Sequence, residues 1–262
     1  MITFAAHVPH SPLLIPSISG DRIGAVKKTV DALSELAEEL AATKPDAIVL
    51  ISDHPTMFDN AFSISVADPY TCSMQDVGDL GYKKTYHPDF SVIDRLQRDL
   101  RAANEPITLS TDPSLHFAAT VPLHFLTTHL PAVRIVPIAP SMLSPKAHFT
   151  FGQALKHTLV ASEKRIAVIS AGDTSQTLTD FAPGGYHEAG EKYDEALRTL
   201  LEHNNAVGLL QLDEDLVAAA QESSYKKLLM LLGALDGMHT TATVMSDEAP
   251  FGVGYLVVHF SL

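Results

Sequence analysis

Residues 47–52 (AIVLIS) and 166–171 (IAVISA) are apolar at almost every position, so a strand built from either must be covered on both faces. A sheet with helices packed on each side meets that condition, and the segments between the runs supply the helices. From Ile23 the apolar residues recur at Val26, Val30, Leu33, Ala37 and Leu40, a 3.6-residue stripe that stops before Pro45 and that Asp21 is expected to cap. Helical spacing returns at 91–103, 147–161, 188–203, 207–211 and 225–235, and at 121–129 with Pro122 expected in the first turn. Further strands are expected at 2–6, 61–66, 107–110, 133–138, 241–245 and 253–260. This alternation predicts an α/β protein, one domain over residues 1–262, with a central mostly parallel or mixed sheet and helices on both faces. Ligands of such sheets bind beyond the carboxyl ends of strands, which directs attention to the loops that follow them.

Composition excludes several classes of function. Of 262 residues, 46% are hydrophobic and 19% charged, against about 25% charged in an average globular chain, so most of this chain is interior. The formal net charge is -13 and the basic residues gather only in pairs, which leaves neither nucleic acid nor an anionic membrane as a partner. No apolar run approaches the ~20 residues that cross a bilayer. The single cysteine, Cys72, offers no intrachain disulfide, and no Lys or Arg precedes Arg22, while Pro9, Pro12 and Pro16 interrupt the early apolar residues. A cytoplasmic protein without a cleavable leader is expected.

Two histidines stand shortly behind expected strands, His10 after 2–6 and His54 after 47–52. Neutral imidazole is the commonest transition-metal ligand in proteins, and two imidazoles with one carboxylate form the triad of non-haem Fe(II) oxygenases. His7 could face the same place as His10. Among the 13 histidines, His87, His129, His148, His157, His203 and His239 have the neighbours of surface positions. Gly252 and Gly254 precede a strand rather than opening a helix, so they lack the setting of a dinucleotide loop. Asp213-Glu-Asp215 has the look of a solvated helix start, and no serine sits in a G-x-S-x-G elbow.

The string Pro9-His-Ser-Pro-Leu-Leu-Ile-Pro, followed by Ser52-Asp-His54, His116 ahead of Val121-Pro-Leu, and Ser170-Ala-Gly-Asp-Thr-Ser, resembles the class III extradiol ring-cleavage dioxygenase superfamily, including its Memo-like branch. Ala182-Pro-Gly-Gly-Tyr, Leu232-Gly-Ala-Leu-Asp-Gly and Pro250-Phe-Gly-Val-Gly-Tyr extend the likeness in the same order, so it covers nearly the whole chain. The resemblance implies that His10 and His54 are metal ligands, that Glu222 in Ala220-Gln-Glu-Ser is the third, and that the metal is Fe(II), with Zn(II) as the alternative. It implies a small aromatic substrate of the catechol or aminophenol type, and a homo-oligomer or a second subunit as partner.

Two departures bear on the proton chemistry, for which His116, Asp173 and Gln176 are the candidates. His116 is the nearest match to a histidine that the family carries in Asp-His-Gly, whereas this chain reads Leu115-His-Phe117. A second family histidine falls on Gln176, which can hydrogen-bond but cannot exchange a proton near neutral pH. Three functions are therefore expected in order: an extradiol dioxygenase, a Memo-like metal-binding accessory protein without ring cleavage, and a zinc hydrolase built on the same ligand types.

Overall fold

The computed structural model describes residues 1–54 and 57–262. Strand β1 (Ile2–Val8) leads through the short helix α1 (Pro16–Ser19) to helix α2 (Lys27–Ala42) and strand β2 (Ala47–Ile51). Strands β3 (Phe62–Ser65), β4 (Tyr70–Met74) and β5 (Asp79–Tyr86) precede helix α3 (Phe90–Ala102). Then come β6 (Ile107–Ser110), β7 (Ser114–Leu115), α4 (Phe117–Leu126), β8 (Arg134–Ala139), α5 (Pro145–Val160) and β9 (Ile166–Ala171). Helices α6 (Ala189–Glu202), α7 (Ala206–Leu210), α8 (Glu214–Ala220) and α9 (Tyr225–Leu235) are followed by strands β10 (Thr241–Glu248) and β11 (Tyr255–Ser261).

Eight of the strands pair in the order β10-β11-β1-β9-β2-β8-β3-β6. The centre, β1-β9-β2-β8, is parallel, while β11 joins β1, and β3 joins β8, in the antiparallel sense, so the sheet is mixed. The apolar runs behave as their composition demands: Val49 and Ile51 of β2 enter a core with α3, α5, α6 and α9, and Ile48 and Leu50 enter the opposite one with α2 and α4. Each such side chain contributes about 1.5–3 kcal/mol relative to exposure, which is why these strands need no polar face.

Several features differ from expectation. Residues 20–26 form a 3-10 turn in which Asp21 makes no cap, and the regular helix starts only at Lys27. Gly20 and Gly24 explain the delay, since each glycine disfavours α-helix by about 1 kcal/mol relative to alanine. Helix α4 starts at Phe117, so Pro122 lies inside it rather than in its first turn, because the N-cap is His116, outside the usual Ser, Thr, Asp and Asn set. A three-stranded sheet, β5-β4-β7, went unforeseen although Tyr70, Cys72 and Met74 alternate with more accessible residues. His148 is fully buried rather than on the surface, unlike the five histidines grouped with it, which are exposed.

His148 also fixes a pH dependence. Its Nδ1–H donates to the Ser144 carbonyl at 2.9 Å and its Nε2 accepts the Ser141 N–H at 3.2 Å, an arrangement open only to the neutral ring. Burial pulls its pKa from 6.5 to about 4. The unfolded chain therefore binds more protons between these values, and stability falls as the pH drops from 6.5 toward 4, by at most about 1.4 kcal/mol per pH unit. His148→Gln should flatten that slope in urea midpoints measured across the interval; an unchanged slope would remove His148 as its source.

Glycines set the closest helix contact. A Cβ added at Gly152 of α5 would overlap the Met230 carbonyl oxygen, and one at Gly233 of α9 would overlap that of Phe149. The two backbones thus touch directly in the second half of α9, which fixes that helix against α5.

Candidate metal centre

Strands β1, β9 and β2 are adjacent and parallel, and their carboxyl ends are level: Val8 lies beside Ala171, and Ile51 beside Ser170. Each chain emerges there carrying polar residues two or three positions on, His10 after β1, Asp173 after β9, and Asp53 with His54 after β2. The turn between α8 and α9 closes over them. Its approach depends on Gly172, where a Cβ would overlap the Ser223 carbonyl oxygen.

His10 is the hub. Its backbone N–H donates to Asp173 Oδ1 at 2.8 Å, and its Nε2 lies 3.2 Å from Ser223 Oγ and 3.8 Å from Asp173 Oδ2. Its Nδ1 is buried, has no hydrogen-bond partner among the described residues, and stands 4.0 Å from Asp53 Oδ2. The ring meets Phe117 edge-on. Ser223 ties the turn down, its Oγ accepting the Asp173 N–H and its own N–H donating to the Asp173 carbonyl, both at 3.0 Å.

Lys227, in the first turn of α9, donates from Nζ to Asp53 Oδ2 at 2.6 Å and is only 3% exposed. Glu222 accepts the N–H groups of Ser224 and Tyr225 on Oε2, both at 2.5 Å, and so sits at the positive end of α9. His54 is buried directly after Asp53; Pro55 and Thr56, next in the chain, lie outside the described residues. His116 is half-buried at the head of α4, where its Nδ1 accepts the Ala118 N–H at 3.3 Å. The structure thus brings His10, Asp53 and Asp173 together, adds Ser223 and Lys227, and sets Glu222 beside Ser223 with its Oε2 turned to the helix backbone.

Burial dominates the electrostatics. It pushes the His10 pKa well below its usual value, with Lys227, His116 and His7 adding to the effect, and it carries His7 down to about 3. His116 is lowered by burial as well. Near neutral pH these rings are uncharged, the form that binds metal. Burial raises Asp173 to about 7 against the pull of the His10 N–H, and raises Glu222.

A cavity of about 760 Å³ opens over His10 and Asp173, walled by Phe117, Phe251 and Val253, with Gln176 and Tyr255 among its polar groups and Arg22 the cation lining it. Among the described residues, no three His, Cys, Asp or Glu side chains are grouped so as to hold an ion as they stand. Asp53, Lys227 and Ser223 are the site residues that the sequence alone did not single out, although Asp53 stands directly before His54. The signal for Lys227 was a lysine directly ahead of the apolar run Leu228-Leu-Met-Leu231; Ser223 carried none.

The family model for the catalytic LigB subunit of aromatic ring-opening dioxygenase matches residues 4–258. The chain belongs to the LigB family. A curated relative, Protein CA_C1420 of Clostridium acetobutylicum, is 25% identical over 260 residues, covering 96% of this chain; this chain spans 56% of that protein. The crystal structure of the uncharacterized protein JW3007 from Escherichia coli K12 superposes with a TM-score of 0.70 at 18% identity, over 98% of this chain and 99% of that one, which shows the shared fold. Among the described residues of this LigB-family chain, no helix is long and apolar enough to cross a membrane.

Proposed function

We propose that this LigB-family chain is a metal-dependent dioxygenase that cleaves a catechol- or aminophenol-type aromatic in the extradiol manner, with His10, His54 and Glu222 holding Fe(II). The observation that carries the reading is the buried, uncharged His10, whose Nδ1 has no hydrogen-bond partner among the described residues and stands 4.0 Å from a carboxylate oxygen under an aromatic-walled cavity. Two ligands about 2.0–2.2 Å from one ion can stand that far apart, so an uncharged imidazole nitrogen and a carboxylate oxygen, donors of the kind a divalent cation takes, are within bridging distance of each other. When bound, Fe(II) would supply the positions at which the aromatic diol and dioxygen meet.

The chain's own residues do the rest. Asp173 fixes the loop of His10 through the backbone, independently of the imidazole. Phe117 and Phe251 offer flat apolar walls to a ring and keep water from it. His116 accepts a hydrogen bond at Nδ1, so its neutral ring carries the proton on Nε2, from which it can be given to a substrate oxygen and taken back. Asp173, with its pKa near 7, can hold a proton under the same conditions.

Gln176 on the cavity wall favours a second reading, a Memo-like accessory protein that keeps the centre without ring cleavage. Anaerobic Fe(II) loading followed by a catechol panel in air separates the two. The dioxygenase reading expects a ring-opened chromophore with one dioxygen consumed per ring; no uptake with any diol would leave the accessory reading. Gln176→His should raise turnover by about 100-fold or more if the missing acid/base limits the rate.

A further inference from the structure

The carboxylate nearest His10 Nδ1 is not one of the three expected ligands. Asp53 Oδ2 lies 4.0 Å from that nitrogen and, on its other side, 2.6 Å from Lys227 Nζ. The lysine side chain is 4% exposed, and it reaches Asp53 from the first turn of a helix whose position is fixed by the backbone contact at Gly233. An ammonium so enclosed cannot be swung into water, and a buried charge that keeps its partner is held firmly.

We propose that Lys227 is a built-in competitor for the divalent cation of this centre: its side chain occupies Asp53 Oδ2, and Asp53 becomes an additional metal ligand when an uncharged residue replaces Lys227. The inference rests on the metal-centre reading above and adds to it a residue that sets affinity. The spacing supports it, because an ion between His10 Nδ1 and Asp53 Oδ2 needs no displacement of either strand end: two donors about 2.0–2.2 Å from one ion can be 4.0 Å apart. Charge supports it too, since an ammonium on Oδ2 cancels the attraction that carboxylate offers a cation and adds a like charge beside the site.

The test is a calorimetric titration of the full chain with Co(II), with the visible absorption of the bound ion as a second readout. Lys227→Met should bind Co(II) at least about 10-fold more tightly than the parent, with a changed Co(II) spectrum, and the double variant Lys227→Met/Asp53→Asn should lose the gain. Lys227→Gln, which can still hydrogen-bond Asp53, serves if the methionine variant does not fold, and Lys227→Arg should retain the parent's affinity. Equal or weaker binding by the folded neutral variants would overturn the proposal while leaving the metal centre standing. Absence of Co(II) binding in the parent and every variant would overturn both.

Discussion

On the proposed dioxygenase reading, His10→Ala should give a folded protein whose affinity for a divalent cation is weakened by more than 100-fold and which opens no ring. Substitutions that merely support a metal ligand cost about 10–100-fold in affinity, so loss of a ligand should exceed that range. The fold should persist, because the bond that secures this loop runs from the His10 backbone N–H to Asp173 Oδ1 and does not involve the ring. What disappears is the imidazole, with its edge contact to Phe117 and its approach to Ser223 Oγ. Metal titration and oxygen uptake should fall together while circular dichroism holds. Parent-like binding in a folded His10→Ala protein would remove this residue from the centre and shift the ligand search to the carboxylates around it.

The largest effect on stability is expected from Gly233→Ala. In an open helix the added methyl would help by about 0.5–1 kcal/mol. Here it would overlap the carbonyl oxygen of Phe149, a backbone atom that cannot rotate aside. Steric cost should win, since overpacking commonly costs about 1–3 kcal/mol and backbone clashes lie at the upper end of such effects; on a total of about 5–15 kcal/mol that is a large share. A urea midpoint lowered by an amount equivalent to at least about 2 kcal/mol is the expected result. Gly24→Ala, where nothing lies within 4 Å of the added carbon, is the control and should be near neutral. Equal midpoints for the two variants would show that α5 and α9 have room to separate.

The layers of the fold were readable because the strongest constraint was local: strands apolar on both faces require helices on both sides, and β2 and β9 meet that requirement within a residue of their expected ends. What escaped depended on partners remote in the chain. Strand β5 turns Tyr82, Lys84 and Tyr86 inward, and the lysine among them hides the apolar alternation, so its place is fixed by pairing with β4. The start of α4 hid behind an unusual cap. At the site, the rule of strand ends pointed to His10 and His54, and the resemblance supplied His116, Asp173, Gln176 and Glu222, while Asp53 went unremarked beside His54. Lys227 remained invisible because a lysine beside a row of leucines ordinarily keeps its charge in water, and only the folded arrangement shows Asp53 waiting for it.

Strand β1 occupies the middle of the sheet, bonded on one side to β9 and on the other to β11. During synthesis on the ribosome, β1 therefore emerges more than 150 residues before one neighbour and about 250 before the other. Pairings between such distant segments form slowly, and a strand with both edges unsatisfied is a substrate for chaperones or for self-association in the meantime. A nascent chain stalled before β11 should accordingly expose β1 to protease, and become resistant there only after residue 261 has cleared the exit tunnel.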